Sequence, residues 1–173
     1  RFDKKIMGRQ SAGMGFLKTL CQHSNLQEIV GWCKTVQASQ DFAQDVEKYA
    51  DADVSCKVIG PRNVQYLSDI GTLYTPGPDL SPLAWLRASV GSASWSICGV
   101  THTTCSTSVM ESVVSYLSTP LQPWDALVCT SQAAKEVVTR LLDEQESYLA
   151  QRLGAKTFTR PQLPVIPLGV DCA

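Results

Sequence analysis

The chain has 173 residues, 44% of them hydrophobic and 18% charged, with a formal net charge of −1. That is enough for one domain with a sizeable core, and acids interspersed with bases exclude a nucleic-acid-binding stripe or a polybasic membrane patch. No apolar run approaches the roughly 18 residues that a bilayer-spanning helix needs. Arg1-Phe2-Asp3-Lys4-Lys5 carries neither an initiator Met nor a signal-peptide pattern, so the expectation is a fragment of a longer chain.

The first patterned stretch, Gly8-Arg9-Gln10-Ser11-Ala12-Gly13-Met14-Gly15, reads as a glycine-rich approach to a helix whose apolar face is Phe16, Leu17, Leu20 and Cys21. Glycines ahead of a helix let a ligand approach the backbone closely, and free N–H groups there attract anions. As a flexible turn before a core helix the same residues need no ligand. Gly13-x-Gly15 lacks the third glycine of a dinucleotide fingerprint.

Strands and helices then alternate. Residues 29–33 read as a strand, 39–50 as an amphipathic helix with Phe42, Val46 and Tyr49, and 54–59 as a strand closed by Gly60-Pro61. A short helix over 63–70 and a strand over 71–74 follow. Thr75-Pro76-Gly77-Pro78-Asp79 is a turn by chemistry, because proline fixes φ and glycine admits positive φ. Pro82 sits in the first turn of a helix carrying Leu83, Trp85 and Leu86.

Ser96 to Val100 reads as a short buried strand, ending in Thr101-His102-Thr103-Thr104. In an open α/β sheet, ligands bind beyond the carboxyl ends of the strands, which makes His102, one of two histidines, a candidate binding or catalytic group. A capping or hydrogen-bonded structural histidine is the alternative. The pattern also predicts that His102 and the Gly13 region open on the same sheet edge. A helix over 106–117, a strand over 125–129 and a long helix capped by Thr130 or Ser131 come next. Val137, Val138, Leu141, Leu142, Leu149 and Leu153 form the long helix's apolar stripe, Gly154 ends it, and 163–171 is a proline-flanked strand. Alternation of this kind predicts an α/β fold with a mostly parallel sheet.

The seven cysteines are scattered, without a Cys-x-x-Cys pair, so reduced thiols in a cytoplasmic setting and no metal site are expected. Cys105 and His102 lack a third orienting group for nucleophilic catalysis. No Gly-x-Ser-x-Gly elbow is present, and no carboxylate pair stands out as a glycosidase acid and base.

Four stretches together resemble stretches of family 4 glycosyltransferases. Trp124-Asp125-Ala126-Leu127-Val128-Cys129-Thr130-Ser131, with Lys135 on the following helix, resembles their last core strand, and Pro164-Val165-Ile166-Pro167-Leu168-Gly169-Val170-Asp171 the segment leading into their second domain, with Leu168 at the usual Asn position. Met7-Gly8-Arg9-x-x-Ala12-Gly13-x-x-Phe16-Leu17 is similar to the glycine-rich loop after their first strand, and Val100-Thr101-His102-Thr103 to their strand-end histidine.

The resemblance implies the N-terminal half of a GT-B fold, a Rossmann-like three-layer α/β/α domain. Residues 1–163 would be the acceptor-side domain, its first strand lying before Arg1, and 164–173 the start of the linker to a nucleotide-binding domain. Together the two domains would transfer a sugar from a nucleotide donor to a sugar, lipid or protein acceptor. Configuration would be retained, with no metal and the donor as substrate rather than cofactor. The half by itself would be inactive.

By the same resemblance His102 would contact the donor sugar near the reaction centre, with Thr101 and Thr103 orienting it or binding sugar hydroxyls. Backbone N–H groups over Gly13, Met14 and Gly15 would face the diphosphate, with Arg9 as a nearby cation. Nucleic acid is not an expected partner, and the location would be cytoplasmic or peripheral to a membrane. A dinucleotide-dependent Rossmann oxidoreductase and a non-catalytic α/β binding domain are the alternatives.

Overall fold

The structure, a computed structural model, describes residues 8–169 except residue 52. The chain divides into two compact units, Arg1–Ile70 and Gly71–Ala173.

In the first unit, helix α1 (Gly8–His23) precedes strand β1 (Glu28–Trp32), helix α2 (Val36–Tyr49) and strand β2 (Ser55–Ile59). The Thr35 hydroxyl caps α2 by accepting the Ala38 N–H at 3.1 Å, so the helix starts three residues earlier than its apolar spacing predicts. β1 and β2 pair in parallel, Ile29 beside Cys56, and α2 is their crossover. Cys21, Ile29 and Val46 are buried together, with Leu17, Phe42 and Tyr49 packed around them. Gly31 is a close approach: a Cβ there would stand 2.5 Å from the Phe42 ring.

The stretch from Gly8 to Gly15 is not a loop before a helix but the first half of α1 itself. Ala12 between the glycines and the apolar run behind them let the helix extend back through the glycines, against a cost of about 1 kcal/mol for each. Gly15 has open space where a Cβ would project. Gly15→Ala should therefore stabilise the first unit by about 0.5–1 kcal/mol, read as a rise in the denaturation midpoint.

The second unit begins with strand β3 (Thr72–Thr75) and continues through α3 (Ser81–Ala88), β4 (Ser96–Val100), α4 (Thr107–Val114), β5 (Ala126–Val128) and α5 (Gln132–Leu153). The sheet order is β3-β4-β5, all parallel, with Leu73 beside Ile97 and Gly99 beside Leu127. Each crossover steps in the same direction across the sheet. The right-handed crossover rule then places α3 and α4 on one face. Leu73, Ile97, Gly99 and Leu127, one side chain in two along the strands, are buried, while Tyr74, Cys98, Ala126 and Val128 on the alternate face are half-buried.

The segment after α5 adds to β5 without becoming a continuous strand. Gln162 bridges Ala126 and Val165 bridges Cys129, with backbone N–H bonds from Leu127 to Gln162 and from Cys129 to Pro164. Pro164 has no N–H to give, which interrupts the ladder where the sequence predicted a strand. Arg160 clasps this segment to α5 through Glu146 at 2.6 Å and Asp143 at 2.7 Å.

Two helical stripes differ from the sequence expectation. On α3 the buried residues are Ser81, Ala84 and Arg87, while Trp85 is 59% exposed. On α5 only Val138 and Leu142 are buried, and Leu153 is 71% exposed. On α3 the buried positions recur every three residues, one place on from Leu83 and Leu86, whereas on α5 Val138 and Leu142 belong to the expected stripe and its outer members Val137 and Leu153 are exposed.

A fully buried ion pair joins α3 to the amino ends of β4 and β5. Asp125 receives both Arg87 terminal nitrogens, at 2.6 and 2.7 Å, and the backbone N–H groups of Ile97 and Gln122, each at 2.8 Å. Arg87 also donates to the Trp95 and Pro120 carbonyls. Four donors converge on one carboxylate, so Asp125 is a structural residue.

Candidate functional site

Because β3, β4 and β5 are parallel, their carboxyl ends share one edge, and the segments that follow them gather there. These are Pro76 to Leu80, Thr101 to Ser106, and Cys129 to Ser131. Helix starts complete the edge. Ser106 caps α4 by accepting the Val109 N–H at 3.4 Å, and Ser131 caps α5 by accepting that of Ala134 at 3.1 Å.

The loop after β3 is fastened through three successive carbonyls. Pro76 O faces His102 Nε2 at 3.1 Å, Gly77 O accepts the Val100 N–H at 3.3 Å, and Pro78 O accepts the Tyr116 and Ser112 hydroxyls. Gly77 and Pro78 are buried. Gly99 makes the approach possible: a Cβ there would stand 2.5 Å from both Gly77 O and Leu80 Cδ2.

Tyr116 is fully buried beneath the loop, and burial, reinforced by Asp79, pushes its phenol far above the ordinary tyrosine range. In the folded chain the phenol stays protonated where the unfolded chain ionises, near pH ~10. The folded state then holds more protons than the unfolded one, so this stabilising contribution is complete below pH ~10 and lost as pH rises beyond it. A Tyr116→Phe variant should lose stability less steeply than wild type between pH ~9.5 and ~11, as followed by denaturant midpoints.

His102 is half-buried and is held by Pro76. A carbonyl oxygen can only accept, so Nε2 is the donor in this contact. Thr101 is 1% exposed, and its hydroxyl accepts the Thr130 N–H at 3.1 Å, tying the end of β4 to that of β5. It fixes the backbone that carries His102. Thr103 is exposed, its hydroxyl accepting the Cys105 N–H at 3.3 Å.

The structure therefore brings His102, Thr101 and Thr103 to one edge of the second unit. Gly13, Met14 and Gly15 belong to the first unit, inside α1. Only the first four N–H groups of a helix lack intrahelical partners, so the N–H groups from Gly13 to Gly15 are engaged in α1 and are not offered to a diphosphate. The Arg9 side chain, Val170, Asp171 and Cys172 lie outside the described residues. The Pro76 carbonyl is a site group that comes from a segment whose sequence signals a turn, through the two prolines around Gly77.

The six described cysteines are free thiols, and burial raises those of Cys98 and Cys129 above the usual range. Among the described residues no group of three metal-ligating side chains gathers, and no helix is long and apolar enough to cross a membrane. His102 lines neither of two surface hollows. One of about 380 Å³ borders Asp143, Glu144 and Tyr148, and one of about 180 Å³ borders Val46, Val54 and Cys56.

Fold and site define an α/β protein with short parallel sheets of two and three strands and a histidine at a strand's carboxyl end. No family model, curated protein or solved structure matches the chain.

Proposed function

We propose that the chain is the acceptor-side half of a nucleotide-sugar-dependent, retaining glycosyltransferase of the GT-B type, with His102 placed to meet the donor sugar. One observation carries the reading: His102 stands at the carboxyl end of β4, anchored by Pro76 O, with hydroxyl-bearing segments on either side. The four family-like segments support it, because two of them fall at β4 and β5, neighbours in one sheet. On this reading the domain is three-layered, and a second domain supplies the nucleotide site. The diphosphate role for Gly13 to Gly15 is not part of the proposal.

The chemistry asks for stabilisation of an oxocarbenium-like centre and of a leaving diphosphate. Within this chain His102 is the group placed to meet the first. The test is release of nucleoside diphosphate from a panel of nucleotide sugars by the longest natural protein that contains this sequence. Release that persists in EDTA is expected, and a folded protein inactive on every donor would overturn the reading.

A second reading, a non-catalytic α/β binding domain, is favoured by the helical state of Gly13 to Gly15, which leaves those glycines without a phosphate to bind. Sugar binding without nucleotide release would select it.

A further inference from the structure

We propose that residues 160–168 form a guard strap along the outer side of β5. In it Pro161 and Pro167 deny an incoming strand two backbone donors, which keeps the sheet of the second unit from pairing with a second copy of the chain. The inference is independent of sugar transfer.

The backbone bonds fix which way the strap faces. The Gln162 N–H donates to Asp125 O at 2.7 Å and the Ile166 N–H to Cys129 O at 2.9 Å. Gln162 O and Pro164 O accept from Leu127 and Cys129 at 2.9 and 2.8 Å. The peptide groups of residues 162, 164 and 166 thus point toward β5. In extended backbone those of successive residues point to opposite sides, so the groups of 161, 163, 165 and 167 point away. The residue before a proline is itself held extended, which carries the alternation through Arg160 and Ile166.

Four nitrogens therefore line the outer side, and those of Pro161 and Pro167 have no hydrogen to give. Leu163 and Val165 supply the other two, and among the described residues neither donates to another backbone group. The edge is one that needs guarding. Val165, Ile166 and Leu168 are 37%, 55% and 59% exposed, and an exposed apolar edge is a template for strand addition. Arg160 fastens the entry to the strap through Glu146 and Asp143 of α5, so the strap is held on β5 at both ends of its run. Pro164 is the contrast. Its nitrogen faces inward, where it forgoes a bond to β5 and guards nothing.

The test is sedimentation of the chain and its variants over a range of concentrations, with amide hydrogen exchange followed by NMR. In the wild type the Gln162 and Ile166 amides should exchange slowly, and those of Leu163 and Val165 nearly as fast as in an open peptide. A Pro161→Val, Pro167→Val double variant restores two outer donors and should self-associate roughly tenfold more tightly. Its Leu163 and Val165 amides should gain protection as concentration rises. Should the buried position 161 not tolerate the change, Pro167→Val alone, at an exposed residue, should tighten association roughly threefold. Pro164→Val restores an inner donor instead and should associate like the wild type.

Protected Leu163 and Val165 amides in the dilute wild type would overturn the proposal. So would folded outer variants that associate no more tightly than the wild type, or that associate without protecting those two amides. A Pro164→Val protein that associates as strongly as the outer variants would overturn it too, because loss of any proline would then suffice.

Discussion

Asp125→Ala should cost the Gly71–Ala173 unit about 3–5 kcal/mol, the largest stability loss expected from any single substitution at a polar residue in it. Both members of the pair are 0% exposed. Without the carboxylate, Arg87 stays charged among apolar neighbours, with only the Trp95 and Pro120 carbonyls to receive it. The Ile97 and Gln122 N–H groups also lose their acceptor, and each buried donor left unmade costs about 1–3 kcal/mol. These terms overlap and do not add. Against a typical total of about 5–15 kcal/mol, the loss leaves a substantial unfolded population.

An Arg87→Met, Asp125→Leu double variant removes both charges and should recover part of the loss. The Ile97 and Gln122 N–H groups remain unpaired, so recovery is incomplete. Urea unfolding monitored by circular dichroism reads all three proteins. An Asp125→Ala protein within about 1 kcal/mol of wild type would show that Arg87 finds water or another partner.

The strands were legible because their signal is local. Val, Ile and Cys clustered in five-residue stretches mark β1, β2 and β4 to within a residue or so. The proline-flanked end was less legible. Leu163 to Asp171 has the composition of a strand, yet bonding to β5 depends on which N–H groups face it, and Pro164 occupies one such place.

Arg87 illustrates a different limit. An arginine near a helix end reads as a solvated charge complementing the helix dipole, and nothing local says that it is buried. Its partner lies 38 residues away. The sequence does place Asp125 at a strand start, where a structural role is the expectation, but the four donors meet only after folding.

The site divides in the same way. His102 at the end of β4 was legible from an apolar run turning abruptly to hydroxyls. The glycine-rich stretch was not, because glycine spacing describes what a backbone can do and helix formation is decided by the residues around it. Thr101 and Thr103 look alike in sequence, yet one is buried against Thr130 and the other exposed. Strand alternation would put both on one face, but β4 ends at Val100, and the pairing of Val100 with Val128 is what brings Thr101 against Thr130.

His102→Ala should separate folding from turnover. The substitution removes one hydrogen bond, to Pro76 O, from a half-buried position without opening an apolar cavity, so the expected stability loss is on the order of 1 kcal/mol. On the proposed reading, a group that engages as charge develops on the sugar acts chiefly in the transition state of nucleotide-sugar turnover. The loss should then fall on kcat, by roughly a hundredfold, with donor KM little changed. His102→Gln sharpens the comparison, because an amide nitrogen can reach toward Pro76 O while the ring acceptor is gone. It should melt like wild type and turn over like the alanine variant. Thermal melting and nucleotide-release kinetics on the three proteins decide the matter: an alanine variant that melts far earlier but turns over normally once folded would make His102 a folding residue and move the reaction centre elsewhere.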